Sequence, residues 1–269
     1  MLWSVSEIRG FRLRATDGDI GEVSDLLFED ATSTVRYLVA DTGSWLASRK
    51  VLIAPEALRD PDTAARAFPV GLTREQVENS PGIETDRPVS RQREDELRTY
   101  YGWRPYWNKP LPTGSDEAGA GAANIAYWGR AHREMLGAEI DRRRELAGAR
   151  PTEDNPHLRS ASEVIGYCIE ATDGEIGHVE DLLAESGSWI IRYAVVDTRN
   201  WWPGKKVLVA PEWMKRVDWD TQRVGVDLTR GMIKSAPEYE GSPAQVDREF
   251  ERRLYRHYGQ SPYESPAPA

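Results

Sequence analysis

Cysteine is almost missing from this chain of 269 residues. The single thiol, Cys168, excludes an intrachain disulfide and makes a reducing cytosol the economical setting. No stretch reaches the roughly 18 apolar residues that a membrane-crossing helix requires. The opening segment Met1–Gly10, with Glu7 and Arg9, also lacks the apolar core of a signal peptide. Histidine is sparse: His132, His157, His178 and His257 are scattered without ligand-like spacing, and one cysteine cannot complete a zinc set. Positive charge is in deficit, with 35 Lys and Arg against 44 Asp and Glu and a net charge of −9. That argues against a general nucleic-acid binder, which needs a cationic face to displace counterions. Neither a Gly-rich phosphate loop nor a Gly-x-Ser-x-Gly nucleophile motif occurs. No metal and no cofactor are expected.

What is present is a repeat. Residues 1–56 laid on 157–212, at a constant offset of 156 and without a gap, give 28 identities in 56 positions by direct count. The match resumes in register at Val70-Gly71-Leu72-Thr73-Arg74 against Val226-Asp227-Leu228-Thr229-Arg230, and Pro81 falls on Pro237. It slips by one residue only near Tyr101-Gly102 and Tyr258-Gly259. The units read as 1–107 and 158–260. Between them, 108–157 is a linker whose first part is rich in Pro, Gly and Ala. Trp128, Met135, Leu136, Ile140 and Leu146 then recur at helical steps and predict an amphipathic helix over about 125–147. The tail, 261–269, carries Pro262, Pro266 and Pro268 and reads as disordered.

Within the first unit, Asp17-Gly18 lies between strand-like runs and predicts a hairpin with Gly18 at positive φ; Asp173-Gly174 repeats it. Val35–Asp41 and Lys50–Ala54 read as strands, the second stopped by Pro55, and a further short strand falls near Ala67–Leu72. Thr73 is positioned to cap a short helix ending before Pro81. Five or six short strands with tight turns predict a small closed barrel. The fold expected is mainly β: two small barrels in tandem, each with a short C-terminal helix, joined by a flexible linker and one amphipathic helix.

The ordered set Asp17-Gly18-Asp19-Ile20-Gly21-Glu22-Val23, Asp25-Leu26-Leu27, Val35–Val39, Lys50–Pro55, Leu72-Thr73 and Pro81 resembles the PRC-barrel family pattern, and Asp173–Val179, Asp181–Leu183, Arg192–Val196, Lys206–Pro211 and Leu228-Thr229 resemble it again. The family is named for the cytoplasmic domain of the photosynthetic reaction-centre H subunit and includes the C-terminal domain of a ribosome maturation factor. The resemblance implies a barrel that holds protein assemblies together and is not an enzyme. Neither the membrane helix of the former nor the preceding domain of the latter is expected here.

Two groups of residues compete as sites. Asp25, Asp41 and Glu56 with Arg36 and Lys50, repeated as Asp181, Asp197, Glu212, Arg192 and Lys206, are the set a carboxylate-dependent hydrolase would use; otherwise the acids end strands and pair with adjacent cations. The ten tryptophans are the second group. Trp45, Trp103, Tyr106, Trp107, Trp128, Trp201 and Trp202 are candidate interface anchors, the alternative being that they cap their own barrels. The function expected is a cytoplasmic, non-enzymatic docking or scaffold protein whose barrels pack on each other or on a second copy. A peripheral subunit of a membrane redox or photosynthetic complex and a hydrolase are the alternatives.

Overall fold

The computed structural model describes residues 1–46, 49–81, 89, 91–108, 158–198 and 205–260. The helix expected over 125–147 and the tail 261–269 lie outside these residues, as do Trp128, Trp201 and Trp202. Residues 1–87 and 158–263 form one compact unit that holds the strands of both repeats. A second unit comprises 88–157 and 264–269.

The first repeat contributes β1 (Leu2–Ser4), α1 (Val5–Ile8), β2 (Arg12–Ala15), β3 (Gly18–Glu29), β4 (Thr34–Asp41), β5 (Lys50–Ile53), β6 (Ala67–Pro69) and α2 (Arg74–Glu78). In the second unit of the chain stands α3 (Arg91–Tyr101). The second repeat contributes β7 (Leu158–Ser160), α4 (Ala161–Val164), β8 (Cys168–Ala171), β9 (Gly174–Glu185), β10 (Ile191–Asp197), β11 (Lys206–Val209), β12 (Met214–Asp218), β13 (Arg223–Val226), α5 (Arg230–Ser235) and α6 (Arg248–His257). The chain is mostly β, arranged as two β domains in tandem.

Each repeat builds one sheet, and the orders correspond: β5-β4-β3-β2-β6 in the first and β11-β10-β9-β8-β13-β12 in the second. The pairs β2–β6 and β8–β13 are parallel, and the other pairs in these sheets are antiparallel. The first repeat has only the isolated bridges Leu58–Val70 and Asp62–Ala67 where the second has β12. The long strand β3 turns from one partner to another along its length: residues 18–22 pair with β2, and residues 22–29 pair with β4.

Bulges permit that bend. Val23 and Asp25 oppose Ala40 and Val39, so Ser24 is an extra residue on β3; Leu27 and Phe28 oppose Tyr37 and Val35, so Arg36 is extra on β4. The second repeat reproduces both, with Glu180 and Arg192 as the extra residues. An extra residue raises local twist and re-aims the side chains beside it. The curled sheets enclose Leu13, Ile20, Leu26, Leu38, Leu52 and Phe68 in one repeat and Ile169, Ile176, Leu183, Ala194, Leu208 and Phe250 in the other, all at most 1% exposed.

The Asp-Gly hairpins form as the sequence implies. Gly18 has φ +149° and Gly174 φ +125°. Asp17 and Asp173 do more than turn the chain: each carboxylate accepts from a helix-start amide, Arg74 N at 2.8 Å and Arg230 N at 2.7 Å. Thr73 caps α2 in a reciprocal box with Gln76, and Thr229 caps α5.

Candidate protein-interaction site

Each repeat opens with a three-residue strand that does not join its own sheet. β1 pairs antiparallel with β9, matching Leu2, Trp3 and Ser4 to Glu185, Ala184 and Leu183. β7 pairs antiparallel with β3, matching Leu158, Arg159 and Ser160 to Glu29, Phe28 and Leu27. The exchange is reciprocal. Both acceptor edges are the stretches of β3 and β9 that lie beyond their pairing with β2 and β8. A backbone edge of that kind carries unpaired amides and carbonyls, which an added strand satisfies.

The joints are fastened by an aspartate lying one residue past the bulge. Asp181 accepts from Ser4 Oγ at 2.5 Å, Ser6 N at 3.0 Å, Ser6 Oγ at 2.9 Å and Leu182 N at 2.8 Å. Asp25 accepts from Ser160 Oγ at 2.5 Å, Ser162 N at 3.0 Å, Ser162 Oγ at 2.7 Å and Leu26 N at 2.8 Å. Ser4 and Ser160 also cap α1 and α4, accepting from Glu7 N at 3.0 Å and Glu163 N at 3.1 Å. One hydroxyl thus starts a helix and grips the other repeat. A hydrogen bond to an ionised group contributes about 1.5–3 kcal/mol, so each carboxylate holds its arm firmly.

Around the clamps the two joints differ. At one, Trp3 meets Phe11 and Phe68 with ring centroids 6.3 Å away in each case, and Trp189 of the second repeat reaches Phe68 at 6.1 Å. At the other, Arg159 occupies the position of Trp3; its guanidinium lies 4.0 Å from the Trp219 ring centroid and 3.5 Å from Asp30. Burial raises the Asp30 carboxyl above its ordinary range, while Arg159 opposes the shift. Tyr167 stands 6.1 Å from Trp219 and donates to Glu163 at 2.9 Å; burial, with the Glu163 carboxylate, pushes its hydroxyl up to about 12. Between the joints the chains touch again, Val35 N donating to Trp189 O and Ile191 N to Ser33 O, each at 2.8 Å.

A second polar cluster sits under α6. Tyr193 OH on β10 donates to Glu251 on the helix at 2.7 Å, and Tyr255 on the helix is hydrogen-bonded to Glu212 on the barrel. Burial raises Glu212, while Tyr255 and Arg192 pull it back. Trp213 packs against Tyr255 and Tyr258 at 5.2 and 4.6 Å.

The carboxylates that looked catalytic are dispersed among these structural tasks. Asp25 and Asp181 lie in separate clamps. Asp41 accepts from Gly43 N at 2.9 Å and stands opposite Lys50, and Asp197 stands opposite Lys206, which pairs with Glu180 at 2.8 Å. Arg36 pairs with Glu29, and Glu56 is exposed. Of the aromatic candidates, Trp45 is half-buried against its own barrel, donating to Ile20 O at 3.0 Å beneath Arg74. Trp103 stacks on Tyr101 at 4.3 Å, and Tyr106 meets Trp107 at 4.8 Å under Arg98. Sequence reasoning did not single out Trp3, Ser4, Ser6, Ser160 or Ser162 as a site. The signal was available, since Leu-x-Ser-x-Ser-Glu opens both repeats.

A short, curled, bulged sheet, duplicated and fastened by exchanged strands, defines a tandem small-barrel protein. The family model of the PRC-barrel domain matches residues 4–63, within the first repeat. The second repeat carries the same strand order. No curated protein matches the chain by sequence. Among the described residues no helix is long and apolar enough to cross a membrane.

Proposed function

We propose that this protein is a non-enzymatic docking protein in which two PRC barrels, fused through exchanged strands, present one body to a protein partner in the cytoplasm. The observation that carries the reading is the pair of aspartate clamps. Asp25 and Asp181, two of the acids a hydrolase could have used, are engaged in holding the repeats together, each accepting four hydrogen bonds of which three come from the other repeat. A carboxylate saturated with donors from the fold itself has little left to offer a substrate. The same saturation makes it a good fastener. PRC-barrel domains are of a protein-interaction or scaffold type, and a rigid two-barrel body supplies a preorganised surface with little ordering cost on binding.

The test is affinity purification of the tagged full chain from its native cells, with Asp25→Ala/Asp181→Ala as the comparison. A reproducible protein partner retained by the native chain and lost with the double variant supports docking by the paired body. A hydrolytic activity of the purified chain that disappears on Asp41→Asn/Asp197→Asn, with circular dichroism unchanged, overturns the non-enzymatic reading.

A further inference from the structure

We propose that the strand joint is exchangeable between molecules: the edge of β9 beside Asp181 is a receptor for the Leu-x-Ser-x-Ser-Glu arm of a second copy of this chain. This rests on the docking reading and names a partner for it. Each arm is short and continuous, and its polar anchors follow one rule. Leu2 or Leu158 starts the strand, Ser4 or Ser160 and Ser6 or Ser162 reach the aspartate, and Glu7 or Glu163 follows. The receptor edge is also duplicated, with the same bulge one residue before the same aspartate.

Two complete sets of arm and receptor in one chain decide the occupant. Each receptor already accepts an arm from a repeat other than its own, so an arm arriving from another molecule makes the contacts that the resident arm makes. Such a swap loses no hydrogen bond and gains none. The balance between closed monomer and swapped dimer is therefore set by the protein concentration against the effective concentration of the resident arm.

The probe is a dye-labelled peptide of residues 1–10, titrated into the full chain carrying Ser4→Ala and Ser6→Ala, with fluorescence polarisation as readout. Saturable binding is expected, at least tenfold tighter than to native chain, whose receptor is filled. The peptide with both serines replaced by alanine should bind at least tenfold more weakly, since it lacks the hydroxyl donors. A variant with native circular dichroism that binds neither peptide, or both equally, overturns the proposal. A second measurement does not depend on how that variant folds. Unlabelled and ¹⁵N-labelled full chain are incubated together at about 1 mM and examined by native mass spectrometry. Mixed-mass dimers that an interchain disulfide locks when, in a Cys168→Ser background, the unlabelled chain carries Leu2→Cys and the labelled chain Glu185→Cys support strand exchange; dimers that do not lock, or monomers alone, contradict it. Neither contrary result touches the docking reading if affinity purification retains an unrelated partner.

Discussion

Among the described glycines, Gly21 and Gly177 leave the least room for a side chain. A Cβ at Gly21 would stand 2.0 Å from Asp41 O, and at Gly177 2.0 Å from Asp197 O, with φ of +132° and +158°. At Gly18 and Gly174 the nearest atoms are instead arginine side chains, at 3.2 and 3.6 Å, which can move aside. Gly18→Ala or Gly174→Ala should cost about 1 kcal/mol through backbone strain, and Gly21→Ala or Gly177→Ala about 3 kcal/mol or more, because a backbone carbonyl must shift as well. Denaturation midpoints measure both, and equal costs at the two sites would refute the close approach. The turn glycines were legible from the Asp-Gly pair. The tighter pair was not, since its neighbour is brought in from across the sheet by a bulge that leaves no local signature.

At the same scale, Glu212 sets a pH dependence. Burial raises its carboxyl above the ordinary 4.5, so the folded state holds the proton more tightly than the unfolded state. The associated stabilisation is complete below 4.5 and is lost as pH rises through the higher folded value. Removing the group by Glu212→Gln should flatten the stability profile in that window. Asp173 and Asp218 are lowered by hydrogen bonds from Arg230 and Thr221 and act in the opposite sense, their contribution being lost as pH falls below 3.8. Urea denaturation of native and Glu212→Gln chains from pH 4 to 8 checks this, and parallel profiles would contradict it.

Among the elements, the strands with clear punctuation could be read: Asp-Gly ahead of β3 and β9, Pro55 and Pro211 after β5 and β11, Thr73 before α2. β1 and β7 could not. Three residues are too few to show alternation, and their partners lie in the other repeat, which no local pattern encodes. The helix α6 also escaped notice, although Phe250, Leu254, Tyr255 and Tyr258 bury one face of it. For the joints, Asp181→Ala leaves the hydroxyls of Ser4 and Ser6 and the amide of Ser6 without their acceptor, and Asp25→Ala does so for Ser160 and Ser162. Each should destabilise the chain by about 2–4 kcal/mol, while Asp41→Ala, at a turn, should cost less than half as much. Thermal unfolding compares the three variants; an Asp181→Ala chain as stable as the native one would remove the clamp from the account.

The whole molecule is a duplicated barrel whose halves complete each other, and the repeat itself was plain in the sequence because a constant offset of 156 residues relates 1–56 to 157–212. How the halves meet was not. Among the described residues the contacts between repeats include β1, β7, Asp25 and Asp181, the Arg159–Asp30 pair, the backbone of Ser33 and Val35 against that of Trp189 and Ile191, and the ring of Trp189 against Phe68 on one side. The most direct measurement is a designed cross-link. In a Cys168→Ser background, Leu2→Cys and Glu185→Cys put two thiols at directly opposed positions of the β1–β9 ladder. On mild oxidation, the reciprocal exchange predicts an intrachain disulfide in the monomer, seen as an unchanged elution volume and a mass lower by two hydrogen atoms. Thiols that stay reduced under conditions in which a Leu38→Cys/Ile53→Cys control pair on β4 and β5 oxidises would contradict it.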